Sequence, residues 1–290
     1  MYKYTVHAPR HVPRVTMAAY ARHAFSLLPE RVIRDAFSAR DVKLDGQRCA
    51  KDAMVKPGAE VTLYTPYEAV LPVVYEDESL LAVDKPAGVG CDEDMYGSVT
   101  VKDWAAIYAK GRYEPRLCHR LDTQTSGLIL LAKSERAEAA IRRMFAEHLG
   151  VKRYVCLVRG TPSPARAACE AWLVKDAKRS AVRILRHEAP EAKQIVTAYE
   201  TLRVGDISLL RVTLHTGRTH QIRAHMAYLG YPLLGDDQYG DREFNRKYKA
   251  GRLMLRSVEL TIDTQGDLSE CDGLTLSVPY KLDEILAGIG

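Results

Sequence analysis

Residues 119–133 read HRLDTQTSGLILLAK, placing an imidazole, a guanidinium and a carboxylate (His119, Arg120 and Asp122) directly ahead of the apolar run Leu128–Ala132. An aspartate with an ordinary pKa of about 3.9 is ionised at neutral pH. Once positioned and partly desolvated, an ionised carboxylate is a covalent nucleophile. In a polar turn the same side chain equally serves its own backbone as a cap, and on this stretch alone both readings stand. Further along, TGRTHQIRAHMAYLGYPLLGDDQYG gathers Arg218, His220, Gln221, Arg223 and His225 at the start of a helix. One of these arginines can pair bidentately with a carboxylate and hold it charged and oriented. The bland alternatives are a solvated basic helix and an anion site without chemistry.

Other chemistries fail on spacing. DKPAGVGCDED has glycines at 88 and 90, but the third glycine of a dinucleotide fingerprint would fall on Glu93. There is no P-loop, and Ser126-Gly127 lacks the flanking glycine of a nucleophile elbow. His215, His220 and His225 recur every five residues, whereas ligands on one helix face sit three or four apart, so no metal site is expected. The six cysteines (49, 91, 118, 156, 169 and 271) form no CxxC pair and suggest neither a disulfide frame nor a zinc site. Chemistry without cofactor or metal is the expectation.

The elements that must position these residues are legible from turns and periodicity. Residues 16–28 and 30–39 predict two short helices, with Thr16 as cap and Pro29 as break. A hairpin about Asp45-Gly46 and a strand after Pro57-Gly58 complete a small αα-β unit, which ends at a linker flanked by Pro66 and Pro72. From there the chain is expected to be β-rich with inserted helices. Strands fall on 73–86, 127–133 and 152–160, a hairpin on 194–215, and closing strands on 252–262 and 274–279. Helices fall on 134–150, capped by Ser134 and Gly150, and on 219–230, ending at Gly230. The fold class is α+β with a large mixed, mostly antiparallel sheet flanked by helices.

Composition (47% hydrophobic, 27% charged) is that of a soluble globular chain. No run approaches the roughly 20 apolar residues of a membrane span, and the start MYKYTVHAPRHVPR carries no hydrophobic leader segment, so a cytoplasmic location and no membrane partner are expected. Residues 1–64 hold 11 Lys/Arg against 6 Asp/Glu, leaving 31 against 31 in the rest. The excess of positive charge in the first quarter suits a polyanion-binding module, or a solvated basic surface.

HRLDTQTSG with LILLAKS, the earlier DKPAG, the later KRYVCLVRG and GRTHQIRAHMAYLGYPLLGDDQYG together resemble the RluA-type pseudouridine synthases, in order, over residues 74–280. The first 64 residues resemble the S-four-like RNA-binding domain many such enzymes carry. The resemblance implies an RNA-binding domain at 1–66 and a catalytic domain at 72–290. The implied activity is isomerisation of specific uridines in structured RNA, with large-subunit ribosomal RNA first and transfer RNA second, and no cofactor or metal. It makes Asp122 the essential aspartate, Arg223 its pairing arginine and Tyr154 the active-site tyrosine. Arg120 becomes the arginine that fills the gap left by a flipped base. His119 becomes a contact to the displaced nucleotide or phosphate, and Ile222 and Leu255 form the apolar floor. After DKPAG the family often continues with hydrophobic residues and a His-Pro; VGCDEDMYG stands here, a difference that bears on substrate choice. A monomer is expected. Two other classes stay open: a non-catalytic RNA-binding protein of this fold, and a carboxylate-dependent glycosidase. The glycosidase needs a second acid about 5–9 Å from the first, for which Asp236 and Asp237 are the candidates.

Overall fold

The computed structural model describes residues 1–176 and 181–280. It divides into two compact units, one of residues 1–72 and 88–117, the other of residues 73–87 and 118–290.

The first unit contains β1 (Tyr2–His7), α1 (Met17–Ala24), α2 (Glu30–Ser38), β2 (Val42–Leu44), β3 (Gln47–Arg48), β4 (Glu60–Thr65), α3 (Val101–Ala109) and the two-residue β7 (Arg116–Leu117). Apolar residues Met17, Tyr20, Ala21 and Ala24 recur at helical spacing and are the ones α1 buries, and the Thr16 hydroxyl accepts from the Ala19 N–H to cap it. The helices pack on an antiparallel sheet of order β1-β4-β2-β3. Strand β1 is not among the expected elements. In YKYTVH only Val6 is buried, so the alternation that betrays a strand is missing, yet it pairs along its whole length with β4.

A single crossing in the expected linker does not describe this unit. Residues 88–117 return to it because its helices need them. The Val99 N–H donates to Ala24 O, Tyr20 Oη donates to Tyr96 O at 2.7 Å, and the Tyr96 ring stacks on His23 at 4.2 Å. Trp104 Nε1 donates to Ala69 O. The turn into α3 is closed by a capping box between Thr100 and Asp103.

The second unit carries β5 (Val73–Glu76), β6 (Leu80–Lys85), β8 (Ser126–Ala132), α4 (Glu135–Ala146), β9 (Val151–Arg159), β10 (Arg166–Asp176), β11 (Ala181–Leu185), β12 (Lys193–Arg203), β13 (Ile207–Leu214), α5 (Gln221–Tyr228), α6 (Arg242–Lys247), β14 (Leu255–Thr261) and β15 (Thr275–Ser277). Its strands run in the order β11-β10-β12-β13-β9-β14-β8-β6-β5, with β15 beside β14. All these pairs are antiparallel except β14 with β8. The expected α+β architecture with a mixed, mostly antiparallel sheet is therefore the observed one. The β10–β11 hairpin and α6 are additions to it: β10 begins RAACE, with little apolar alternation, and α6 is only six residues long.

One face of the sheet is apolar. Leu128, Leu130, Val155, Leu157 and Val258 pack with Ala137, Ala140, Ile141 and Met144 of α4. Ser134 caps α4 as expected, but the helix stops at Ala146, with His148 taking the left-handed conformation. Gly150 instead passes close to Met144 and Thr261 O.

On the other face, Val212, Tyr154, Ser257, Gly127 and Lys85 form one register row across β13, β9, β14, β8 and β6. Gly127, the last residue of HRLDTQTSG, has φ +110°, and a Cβ there would lie 2.0 Å from Ser257 O. Glycine lets β8 approach β14, which brings the Asp122 turn alongside the strand next to Tyr154. Gly127→Ala is expected to destabilise the second unit by at least about 2–3 kcal/mol, read as a lowered urea midpoint. An unchanged midpoint would show that the strand contact tolerates a side chain.

Candidate active site

Asp122 sits in a tight turn whose carbonyl accepts from the Thr125 N–H, and its side chain is 25% exposed. The turn is latched from below. Lys85, fully buried at the end of β6, donates from Nζ to Thr123 O at 3.1 Å and to Pro86 O. The lysine of DKPAG thus holds the backbone just after the carboxylate.

Helix α5 brings the second stretch to the same place. Gln221 pins its start: Nε2 donates to Val196 O and Thr197 Oγ1 on β12, while Oε1 accepts from Thr216 Oγ1 and the Arg218 N–H. His225, one turn on and fully buried, contacts Thr197 Oγ1 through Nδ1. Gly230, in the left-handed conformation after the helix, closes it with bonds from its own N–H to Ala227 O and from the Tyr231 N–H to Met226 O.

Between these two anchors Arg223 faces three carboxylates. Its bidentate partner is not Asp122 but Asp236: Nε donates to Oδ2 at 2.7 Å and Nη2 to Oδ1 at 2.9 Å. Asp122 receives a single contact, from Nη1 to Oδ2 at 3.4 Å, and the exposed Asp237 lies 3.5 Å from Nη2. Asp236 is buried and also accepts from the backbone N–H groups of Gln238 and Tyr239. Burial alone would raise its pKa, but Arg223 and these two N–H groups hold it below the usual carboxylate range. Burial likewise works against a charged Arg223, and Asp236 and Asp122 outweigh it to raise its pKa.

The arrangement leaves Asp122 oriented by one edge of a fixed guanidinium, with Oδ1 uncommitted among the described residues. A nucleophile needs such a free oxygen. It also removes the second acid a glycosidase requires, because Asp236 is consumed by its ion pair and Asp237 is 87% exposed.

His220 completes the cluster. It occupies the left-handed position before α5, its Nε2 lies 3.9 Å from Asp122 Oδ2, and its Nδ1 is 2.9 Å from Tyr239 Oη. The Tyr239 hydroxyl accepts from the Val182 N–H, and its ring lies 5.2 Å from the Arg223 guanidinium carbon. Burial lowers the His220 pKa despite the pull of Asp122, so the ring is neutral at neutral pH. Asp236 and Tyr239 do not stand out as partners in the sequence. The DDQYG that follows LLG is their available signal.

The remaining expected residues divide. Tyr154 is buried on the site-side row, next to Ser257. Leu255, two residues before Ser257, shares that face, and Ile222 is buried on α5 beside Arg223. Arg120 is exposed, without an ion pair among the described residues. His119 has a structural task instead of the expected nucleotide contact: Nε2 accepts from the Leu130 N–H on β8, and its ring packs edge-on against Phe145 at 5.2 Å. Burial, with the nearby Lys152, brings it down to about 3, so it carries no charge for a phosphate.

Elsewhere, a groove of about 970 Å³ lined by Arg153, Arg166, Arg211, Glu200 and Glu259 opens on the opposite face of the sheet from Tyr154. Its arginines are already paired with its glutamates. Among the described residues no group of three or more His, Cys, Asp or Glu is placed to hold a metal ion, and no helix is long and apolar enough to cross a membrane.

Comparison with known proteins converges on one family. The family model for RNA pseudouridylate synthase matches residues 79–228. The RNA pseudouridine synthase YlyB of Bacillus subtilis is 31% identical over 222 residues, 70% of this chain and 71% of the relative. The ribosomal large subunit pseudouridine synthase C of Rickettsia conorii is 30% identical over 250 residues, 77% of this chain and 82% of the relative. The solved structure of human RNA Pseudouridylate Synthase Domain Containing 1 shares the fold, with a TM-score of 0.61 at 24% identity over 78% of this chain and 97% of that one.

The buried pair makes stability pH-dependent. Because the Asp236 pKa is depressed on folding, its stabilisation is fully present above its unfolded pKa of about 3.9 and is lost as pH falls through the lower folded value. Asp236→Asn is expected to cost about 3–5 kcal/mol at pH 7 by stranding Arg223, and to flatten the fall of the urea midpoint between pH 5 and pH 3. Equal acid profiles for the two proteins would rule out this pair as the acid-sensitive element.

Proposed function

The chain belongs to the RNA pseudouridylate synthase family, an RNA uridine-to-pseudouridine isomerase, and on that premise we propose that it isomerises specific uridines of structured RNA through Asp122 after base flipping. Large-subunit ribosomal RNA is the first substrate class, supported by the name of the Rickettsia relative, and transfer RNA is the second.

The observation that carries this reading is the half-buried Asp122 carboxylate, held at one oxygen by Arg223 and free at the other. The target base leaves its stack at a cost of a few kcal/mol, and Arg120, two residues before Asp122 and unpaired, fills the gap. Asp122 attacks the nucleotide and the glycosidic C–N bond breaks. The uracil turns and rejoins the ribose through C5, whose proton is lost as N1 gains one. Tyr154 stacks on the extruded uracil. Leu255 and Ile222 keep its surroundings apolar, and Arg223 keeps Asp122 charged and aimed. All of this is side-chain chemistry, with no cofactor or metal in any step.

The first unit is read as an S-four-like RNA anchor, supported by its basic excess. Helix α2 offers Arg31 and Arg34 to solvent.

In a tritium-release assay Asp122→Asn is expected to lose turnover by at least about 10³-fold while keeping RNA affinity. Normal turnover would remove Asp122 from the mechanism. A pseudouridine map of total RNA from cells with and without the gene identifies the target. For the anchor, Arg31→Gln with Arg34→Gln is expected to weaken RNA binding and to reduce the salt slope by about 0.7 for each phosphate no longer neutralised. A salt titration superimposable on the parent's would place the RNA elsewhere.

A further inference from the structure

Lys152 and Arg218 stand next to the cluster without belonging to it. Lys152 is the second residue of β9, two before Tyr154, and therefore leaves the strand on the same face. Its ammonium lies 4.4 Å from the centroid of the Phe145 ring. It also crowds Gly217, where a Cβ would come within 2.8 Å of the nitrogen. Arg218 follows directly and is exposed. Neither cation has a carboxylate partner among the described residues.

Other partly buried cations of this unit are matched: Lys133 with Glu76, Arg153 with Glu259, Arg256 with Asp84, and Arg223 with Asp236. Lys152 instead faces a second cation. The charged or titratable groups that bear on it are Arg218, from the loop before α5, and His119, from the loop before β8, which is neutral. Its neighbours on β13 and β14, Leu214 and Leu260, and Phe145 of α4 carry no charge. Two like charges held together at a half-buried position destabilise the free protein, and an anion between them reverses the sign of that interaction.

We propose that Lys152 and Arg218 form a seat for a backbone phosphate of the RNA strand that carries the target uridine. The proposal rests on the reading of this chain as an RNA-modifying enzyme and adds the residues that hold the strand beside Asp122. Phe145 supports the ammonium from its apolar side and leaves the opposite side to the phosphate. Gly217 keeps the loop narrow enough for Arg218 to reach the same group. Burial, with Arg218, brings Lys152 down to about 8 in the free protein. A bound phosphate favours the ammonium, so binding takes up a proton, and affinity falls as pH rises through that value.

The test uses the full chain carrying Asp122→Asn, a fluorescein-labelled RNA stem–loop with an all-uridine loop, and anisotropy titrations from pH 6.5 to 9.5 and over a range of salt. The parent is expected to lose affinity between pH 7.5 and 9.5. Lys152→Met is expected to bind about 5–10-fold more weakly at pH 7, with a salt slope lower by about 0.7, no pH dependence, and a Tm no lower than the parent's. Lys152→Arg retains affinity at every pH, since its charge does not titrate. Arg218→Gln lowers the slope by a similar amount. Lys152→Met with the parent's affinity and slope overturns the seat, as does a lowered Tm with unchanged binding, which assigns Lys152 to packing alone. In either case turnover of the chain with Asp122 restored leaves the enzyme reading intact. Failure of the parent to bind RNA, together with absence of turnover, overturns both.

Discussion

The site depends on one buried ion pair. Arg223 and Asp236 face each other through two hydrogen bonds, with both side chains almost entirely withdrawn from water. Removing either partner strands a charge in a poorly solvated place, so neither group has a stable arrangement apart from the other. This makes the guanidinium a rigid body. Its third edge can point only where the first two allow, and there it meets Asp122. The reactive carboxylate is thus aimed by a group that is itself immobilised elsewhere. It is spared the bidentate grip that would have occupied both of its oxygens.

The sheet divides its labour by face. One side is apolar and packs α4. The other carries the row from Val212 through Tyr154, Ser257 and Gly127 to Lys85, joining residues of three motifs that are distant in sequence. Parallel pairing of β8 with β14 is what makes the row possible, and Gly127 allows the two strands to approach. Lys85 then reaches up to the turn that bears Asp122. The motifs are therefore parts of one scaffold as much as they are lists of reagents.

Much of this is legible in the sequence. Alternation and turn residues announce the hairpin at 194–215 and the buried strand at 127–133, because burial on one or both faces leaves a direct trace in residue type. Strand β1 and the β10–β11 hairpin leave no such trace: β1 is mostly exposed, and β10 opens with alanines. Asp122 and Arg223 are legible as a pair, but the division of Arg223 between two carboxylates is not, since Asp236 acquires its role only through the turn that buries it. His119 shows the opposite error. Its type suggests an anion contact, whereas its position beside β8 makes it an acceptor for a strand N–H left over by the sheet.

The return of residues 88–117 to the first unit has a consequence for how the chain is made. As the protein leaves a ribosome, the helices and sheet of residues 1–66 emerge with part of their packing still unsynthesised. Tyr96 has yet to stack on His23, Val99 to reach Ala24, and Trp104 to meet Ala69. Two strands destined for the second unit, β5 and β6, must come out in between and wait for partners further along. The N-terminal module therefore cannot complete its folding as an independent first event. Its closure is delayed until about the point at which the stretch carrying Asp122 begins to appear.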